Sequence, residues 1–259
     1  MPDLRFVTPT ISKLMGIEPP EDSTKETLSQ VLELQKYSEP LERCLIYNPD
    51  ATGKFLYDHD PVNFEPVENC TSLKLELNSI FPPKTPVCFA SMYSGTSPQE
   101  HGITQYDKPV LEIDTLFDSV VEAGKKVAIV AVRDSSVALI FQDREIDYYS
   151  ELYDPLVIRR AQKLIQADEH DLIVVYNQEY DDMLHKTTPF SKDCMSALKK
   201  HILNFVSLAK ACDTHWDKYR RLISFIPDHG GHLNLETGKG DHGLDIDEDM
   251  KVLSFWDVK

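Results

Sequence analysis

The residue types best suited to bind a metal ion are concentrated near residue 230. The run DHGGH at 228–232 is followed by GDHG at 240–243, so carboxylates and three histidines lie close together, separated by glycines. Neutral imidazole and carboxylate are ligands that first-row divalent metal ions prefer. Neighbouring residues on a strand point to opposite faces, so Asp228 and His229 share a site only where a strand ends, as the glycines allow. The run predicts a metal site.

Two other segments carry the same residue types. Asp50 follows an apolar run in the segment NPDATG at 48–53, where Asn, Pro, Asp and Gly are also ordinary turn residues. Asp181 and His185 are four residues apart and share one face if the segment is helical, although such pairs are common on protein surfaces. Each segment by itself is compatible with a purely structural role.

A hydroxyl group stands at a predicted helix start. Thr85 followed by Pro86 predicts a helix with Thr85 as the N-cap and Pro86 as its first residue. The N-terminus of a helix is the positive end of its dipole and stabilises an oxyanion. The same position would therefore suit a nucleophilic alkoxide.

The pattern of apolar runs predicts how these residues are positioned. Short β-branched runs predict strands at 44–47, 127–132, 137–141, 172–176, 222–226 and 252–256. Helical patterns lie between them at 25–37, 85–93, 113–123, 154–166 and 192–210. This alternation predicts an α/β fold, a three-layer α/β/α sandwich with a mostly parallel central sheet. Asp50, the 177–185 segment and Asp228 each follow a predicted strand, where the sites of such sheets collect.

The remaining segments predict little further organisation. Residues 57–80 contain two prolines and are expected to be irregular, and residues 1–40 to form an N-terminal extension with a helix packed on the core. There is no internal repeat, and no stretch is long enough for a second domain or a large cap. We expect residues 1–259 to form one domain.

Composition and charge narrow the class of protein. The net charge of -16 disfavours nucleic acid polymers and anionic membranes as partners, because most of the surface would repel them. An anionic substrate would then need a local positive centre such as bound metal. Five cysteines without CxxC spacing predict reduced, mostly buried thiols, and the N-terminus lacks a signal-peptide pattern, so we expect a cytoplasmic protein without a membrane span. The oligomeric state is left open.

Taken in order, these segments resemble the alkaline phosphatase superfamily of metal-dependent phosphate and sulfate ester hydrolases, and most closely its type I phosphodiesterase/nucleotide pyrophosphatase branch. The family pattern has an Asp after the first core strand, then a Thr or Ser nucleophile ten residues before the Gly of a TG-x-x-P-x-x-HG run. Asp50 matches the first, and Thr85 lies ten residues before Gly95. An Asp-x-x-x-His pair, Asp-His-Gly and a later His-Gly complete the match over about residues 41–256.

The resemblance implies two divalent metal ions, zinc or manganese by ligand type. One would be held by Asp181, His185 and His242, and the other by Asp50, Asp228, His229 and the Thr85 hydroxyl. Residues that the pattern does not use are expected outside the metal sites: His232 near or at the surface and His101 in a structural role, with Asp182 a possible substitute for Asp181. Leu184 and Pro189 stand where the family often has glycine.

The implied function is hydrolysis of a small phosphate ester with Thr85 as nucleophile and a phospho-enzyme intermediate, with a phosphodiesterase as the first hypothesis. A phosphomonoesterase, which would be expected to place an arginine over the phosphate, is the alternative, and Arg133 and Arg144 are its candidates. A sulfatase is disfavoured because the Cys-x-Pro-x-Arg pattern is absent near Thr85 and Cys88. A non-catalytic metal-binding relative remains as an alternative of another class.

Overall fold

The computed structural model describes residues 1–259 and is built around a seven-stranded sheet. Its strands are β1 (Arg43–Pro49), β2 (Leu73–Asn78), β3 (Val127–Val132), β4 (Asp147–Glu151), β5 (Leu172–Asn177), β6 (Arg221–Phe225) and β9 (Lys251–Val258). Strands β7 (His232–Asn234) and β8 (Lys239–Asp241) form a separate antiparallel hairpin. The order across the sheet is β2-β9-β6-β1-β5-β3-β4, and β9 runs in the direction opposite to the other six strands.

Twelve α-helices and two short 3-10 helices surround the sheet. The α-helices are α1 (Val7–Met15), α2 (Ser29–Leu32), α3 (Lys54–His59), α4 (Glu65–Glu68), α5 (Thr85–Ser94), α6 (Pro98–His101), α7 (Leu116–Glu122), α8 (Ser136–Ile140), α9 (Asp154–Ala167), α10 (Glu179–Leu184), α11 (Lys192–His215) and α12 (Asp247–Met250). The 3-10 helices are Leu4–Phe6 and Pro61–Phe64. No helix combines the length and apolar character needed to cross a lipid bilayer.

Two hydrophobic cores, one on each face of the sheet, define three layers. Along β1, Cys44 and Ile46 point into the core under α1, α5 and α7, while Leu45 and Tyr47 point into the core under α9 and α11. Burial of both faces is the reason why these strands read as continuous apolar runs. The predicted α/β fold with a mostly parallel central sheet is confirmed.

The strand predictions were wrong in three places. Residues 137–141 form helix α8 rather than a strand, and the Ser135 hydroxyl caps this helix by accepting the N–H of Ala138. A short apolar run fits a buried strand and a buried helix equally well. Strand β2 lies within the segment 57–80, which was expected to be irregular. Strand β4 was not predicted, because it lies at the exposed edge of the sheet and can carry polar residues there.

The helix predictions were correct in position except at the N-terminal end. The expected helix at 25–37 is reduced to α2, while the N-terminal helix α1 packs against α5 and α7. Helix α5 begins at Thr85 with Lys84 as its N-cap, one residue away from the predicted boundary. All five cysteines are free thiols, four of them buried and Cys70 half-buried.

Candidate metal centre

The first group of candidate metal ligands forms where two central strands end, and we call Asp50, Asp228 and His229 the strand-end cluster. Asp50 follows β1, and Asp228 and His229 follow β6, its neighbour in the sheet. The Nε2 atom of His229 lies 3.5 Å from Oδ1 of Asp50 and 3.3 Å from Oδ2 of Asp228. All three side chains are buried, so one ion between them would be removed from bulk water.

The second group is formed by a short helix and a loop, and we call Asp181, His185 and His242 the helix-loop cluster. Asp181 lies in α10, His185 caps that helix at its C-terminus, and His242 follows β8. The Nε2 atoms of the two histidines face each other at 3.1 Å, and Oδ1 of Asp181 lies 3.4 Å from one and 3.5 Å from the other. In each cluster the three ligand atoms lie within 4.8 Å of one another.

Unpartnered oxygen atoms show that both clusters fit a cation. Oδ1 of Asp50, Oδ1 of Asp181 and Oδ2 of Asp228 are buried without a hydrogen-bond partner. Buried carboxylate oxygens normally have a donor or a metal ion, and an orphaned one is costly. Burial raises the pKa of Asp181 and of Asp228 to about 7 and holds the pKa of Asp50 well above its usual range. A divalent ion at each cluster would satisfy these oxygens.

The hydrogen bonds of two histidines prepare them as ligands. Nδ1 of His229 donates to the carbonyl of Gly230 at 2.9 Å, and Nδ1 of His242 donates to that of Pro83 at 2.7 Å. Each ring thus directs a lone pair on Nε2 toward its cluster, the arrangement typical of metal-bound imidazole. Burial lowers the pKa of His229 to about 3, which keeps the ring neutral. The two rings stack at 4.0 Å and bring the clusters side by side.

The hydroxyl of Thr85 lies at the strand-end cluster. Its Oγ1 atom is 3.3 Å from Nε2 of His229, and the residue is buried at the start of α5. Helix α5 therefore directs its positive end toward this hydroxyl. The structure places Thr85 at the three candidate ligands with which the resemblance groups it.

A cavity of about 110 Å³ opens above Thr85, Asp50 and Asp181. The residues that line it include two cationic side chains, Lys108 and Arg133. Arg133 is exposed and forms no salt bridge, whereas Arg144 is held by Asp118 away from this cavity. Of the two arginines considered in the sequence, only Arg133 lines the cavity that also contains Thr85.

The other residues that the sequence singled out belong to neither cluster. His232 bonds through Nδ1 to Oδ1 of the buried Asp249 at 2.8 Å and belongs to neither cluster. Asp182 accepts a hydrogen bond from the Tyr153 hydroxyl at 2.9 Å and lines the cavity. His101 is buried, with Nε2 2.8 Å from Oγ of Ser91, and is remote from both clusters.

The family departure at Leu184 has a packing explanation. A Cβ atom added to Gly240 would lie 2.2 Å from Cδ1 of Leu184, and one added to Gly231 would lie 2.6 Å from its Cδ2. The leucine therefore fills the space that these two glycines leave and packs the hairpin β7–β8 against α10. This contact keeps His242 next to His185.

Sequence reasoning missed several buried polar residues that support the ligands. The Tyr176 hydroxyl donates to Oδ2 of Asp50, yet in the sequence Tyr176 is only the last residue of an apolar run. Asp249 accepts the N–H groups of Gly243 and Leu244 through Oδ2 at 2.8 and 2.9 Å. In the sequence it belongs to an acidic run that indicates a solvated surface. Only the fold shows that Asp249 is buried and accepts the backbone N–H groups that follow His242.

Comparison with known proteins agrees with the resemblance seen in the motifs. The family model for type I phosphodiesterase/nucleotide pyrophosphatase matches residues 63–123, the stretch that includes Thr85 and the run after Gly95. No curated protein sequence is similar enough to count as a relative.

Solved structures share the fold at low sequence identity. Phosphonoacetate hydrolase from Sinorhizobium meliloti 1021, in complex with phosphonoformate, aligns with a TM-score of 0.58 and 15% identity over 77% of this chain and 60% of its own. Murine ectonucleotide pyrophosphatase/phosphodiesterase 5 aligns at 0.61 and 17% over 75% and 59%. Its inactive variant in complex with AMP aligns at 0.62 and 16% over 76% and 59%. The chain thus has an alkaline phosphatase-like fold and spans about three fifths of the length of these structures.

Proposed function

We propose that this protein is a two-metal-dependent hydrolase of phosphate esters, with a phosphodiesterase or nucleotide pyrophosphatase activity as the first candidate. The observation that carries the proposal is the position of Thr85, whose hydroxyl meets the strand-end cluster while the helix-loop cluster lies alongside. The matching family model and the shared fold support it.

The ligand set would hold two divalent ions, zinc or manganese. Such ions supply Lewis acidity, lower the pKa of a bound hydroxyl and neutralise charge that develops on phosphoryl oxygens. The three carboxylates of the clusters carry a charge of -3, so two divalent ions leave the centre positive within an acidic protein. This local charge would attract a small anionic ester.

Thr85 would act as the nucleophile. Its Oγ1 atom attacks phosphorus, the bond from phosphorus to the leaving oxygen breaks, and that oxygen leaves as an alcohol or phosphate after gaining a proton. The start of α5 stabilises the negative charge that develops at Oγ1. Water then attacks the same phosphorus, the bond from phosphorus to Oγ1 breaks, and Oγ1 regains a proton. A diester substrate would thus release a phosphate monoester in this second step, and a monoester substrate would release inorganic phosphate.

A phosphomonoesterase is the second candidate, and Arg133 is the observation that favours it. A monoester carries one more ionisable oxygen than a diester, and an arginine without a salt bridge in the cavity that contains Thr85 could bind it in a bidentate manner. Sulfate ester hydrolysis and a metal-binding role without catalysis are the remaining outcomes.

One set of assays tests these alternatives. The zinc-loaded protein is given a nitrophenyl phosphate monoester, a bis-nitrophenyl diester and a nitrophenyl sulfate, and the favoured substrate identifies the reaction. We expect Thr85→Ala to abolish turnover while the metal content stays near two ions per chain. Thr85→Ser should retain part of the activity, and Thr71→Ala, which removes a hydroxyl far from the site, should match the wild type. Full activity in Thr85→Ala would exclude this nucleophile, and metal binding without any of the three activities would favour the non-catalytic alternative.

A further inference from the structure

The first turn of α10 is capped by side chains from two other helices. The backbone N–H groups of Gln178 and Glu179 donate to the two oxygens of Asp154 at 3.1 and 3.0 Å. The next N–H group, that of Tyr180, donates to Nε2 of His201 at 3.1 Å. Asp154 belongs to α9 and His201 to α11, so α10 is held from outside its own sequence.

The hydrogen bonds around His201 determine its tautomer. Because Nε2 accepts the N–H of Tyr180, the proton lies on Nδ1, which is 3.0 Å from the Tyr47 hydroxyl. That hydroxyl donates in turn to Oδ1 of Asn177 at 3.0 Å. His201 and Asp154 are buried, and burial lowers the pKa of His201 to about 3, so that Nε2 stays an acceptor at neutral pH.

This capping matters because α10 has little stability of its own. It is six residues long, and a helix of that length is not stable in isolation. Gln178, at its N-cap position, makes no side-chain cap. Nevertheless α10 carries Asp181 and leads into His185, two of the three ligands in the helix-loop cluster. Their position depends on where the first turn of α10 is fixed.

We propose that Asp154 and His201 are positioning residues that fix α10, and with it Asp181 and His185, in the geometry that binds a metal ion. The inference rests on the proposed metal centre and adds two residues that lie outside it. Neither side chain contacts the candidate nucleophile or a cluster ligand through its own hydrogen bonds. Their effect passes through the backbone of α10.

The decisive comparison is His201→Leu against His201→Gln in the full chain. Leucine removes the acceptor for the N–H of Tyr180, whereas the side-chain oxygen of glutamine can reach the position of Nε2. Leu208→Ala serves as the control, since it lies on α11 and opens a cavity in the same core without touching the cap. Asp154→Asn is the second variant, used if His201→Leu does not fold.

Two readouts separate positioning from general destabilisation. Amide hydrogen exchange of residues 178–182 in the metal-free protein should become about tenfold faster in His201→Leu, as expected for loss of a buried hydrogen bond. Zinc titration should show one of the two sites weakened by about tenfold to hundredfold, the usual effect of removing an outer partner of a metal ligand. His201→Gln should restore the wild-type exchange rate of residues 178–182 and the wild-type zinc affinity. Leu208→Ala should alter neither this exchange rate nor the zinc affinity.

The outcomes distinguish this inference from the proposed function. Equal exchange and equal zinc affinity in His201→Leu and the wild type would overturn the positioning role. The positioning role would also be overturned if Leu208→Ala weakened zinc binding as much as His201→Leu does. A wild type that binds no zinc would instead overturn the proposed metal centre, and hydrogen exchange would still test the control of α10.

Discussion

The two ligand clusters differ in how the fold holds them. The strand-end cluster grows directly out of β1 and β6, neighbouring strands in the middle of the sheet, and its side chains are buried. The helix-loop cluster comes from the six-residue helix α10 and from the segment after the hairpin β7–β8, and the side chain of His185 is 43% exposed. Sheet hydrogen bonds fix the first cluster, whereas single buried acceptors fix the second.

Two buried carboxylates outside the clusters hold the backbone next to the helix-loop cluster. Asp154 accepts two N–H groups at the start of α10, and Asp249 accepts two just after His242. Both therefore support the helix-loop cluster. The strand-end cluster has backbone anchors instead, such as the N–H of Ile226, which donates to the carbonyl of Tyr47 at 2.9 Å. The comparison implies that the helix-loop cluster is the more easily disturbed part, while the strand-end cluster tolerates less change in its own ligands.

The largest expected effect is the loss of a strand-end ligand. We expect Asp50→Asn to lower kcat/KM roughly thousandfold or more, since no water can replace this buried oxygen at the nucleophile. His185→Asn should cost clearly less, because its exposed position lets water take the vacant place. Steady-state kinetics with metal analysis checks both. Equal losses in the two variants would remove the proposed asymmetry.

A smaller effect is expected when the support of the helix-loop cluster is removed. Asp249→Ala frees the N–H groups of Gly243 and Leu244 and should weaken one zinc site by about tenfold to hundredfold. Asp247→Ala, which removes a neighbouring exposed carboxylate, is the matched control and should bind zinc as the wild type does. Isothermal titration calorimetry measures both. A uniform weakening of the two zinc sites in Asp249→Ala would argue against separate support.

The pH dependence of metal binding follows from the raised pKa values of Asp181 and Asp228, both about 7. Zinc needs the ionised carboxylates, so binding should release protons and weaken as the pH falls from 7 to 5, by about tenfold per pH unit for each proton released. The metal-free fold binds these protons more tightly than the unfolded chain. The contribution of these two carboxylates to its stability should therefore decline as the pH rises from about 4 to about 7, and bound zinc should remove this contribution. The lowered pKa values of His201 and His229 contribute in the opposite direction over the same range.

Titrations in buffers of different ionisation enthalpy count the released protons, and thermal melts across the same pH range follow the stability. Asp228→Asn removes one of the two carboxylate contributions, so the stability of this variant relative to the wild type should rise between pH 5 and pH 7 in the metal-free protein. A stability difference between Asp228→Asn and the wild type that stays constant or falls between pH 5 and pH 7 would contradict the assigned direction.

The smallest expected effect separates ligand carboxylates from structural ones. Oδ2 of Asp228 has no donor in the metal-free fold, so Asp228→Asn should stabilise that form at pH 8 by about 1–3 kcal/mol in urea unfolding. Asp249→Asn should act in the opposite direction, because both oxygens of Asp249 are already bonded. If both substitutions destabilise the metal-free protein, the unpartnered Oδ2 atom of Asp228 does not lower the stability of that form, and the proposed difference between ligand and structural carboxylates is wrong.

The sequence predicted the strand-end positions of Asp50 and Asp228 because their cause is local, whereas their grouping with His229 came from the family resemblance. Asp50 and Asp228 follow apolar runs, and strand ends in a parallel sheet meet at one edge. The strand predicted at 137–141 failed for a reason of the same kind, since periodicity cannot separate a buried strand from a buried helix over five residues. Strand β4 escaped prediction because an edge strand need not be apolar.

What the sequence by itself determined is the set of ligand types, their order along the chain and the sheet that gathers them, because strand burial and strand ends leave a local pattern. Only the tertiary structure decided which buried acceptors hold α10 and the segment after β8. Asp154, His201 and Asp249 appear in the sequence as a helix start, a residue within a long helix and part of an acidic run. Their partners are backbone N–H groups of other elements, which no spacing within their own segments can reveal.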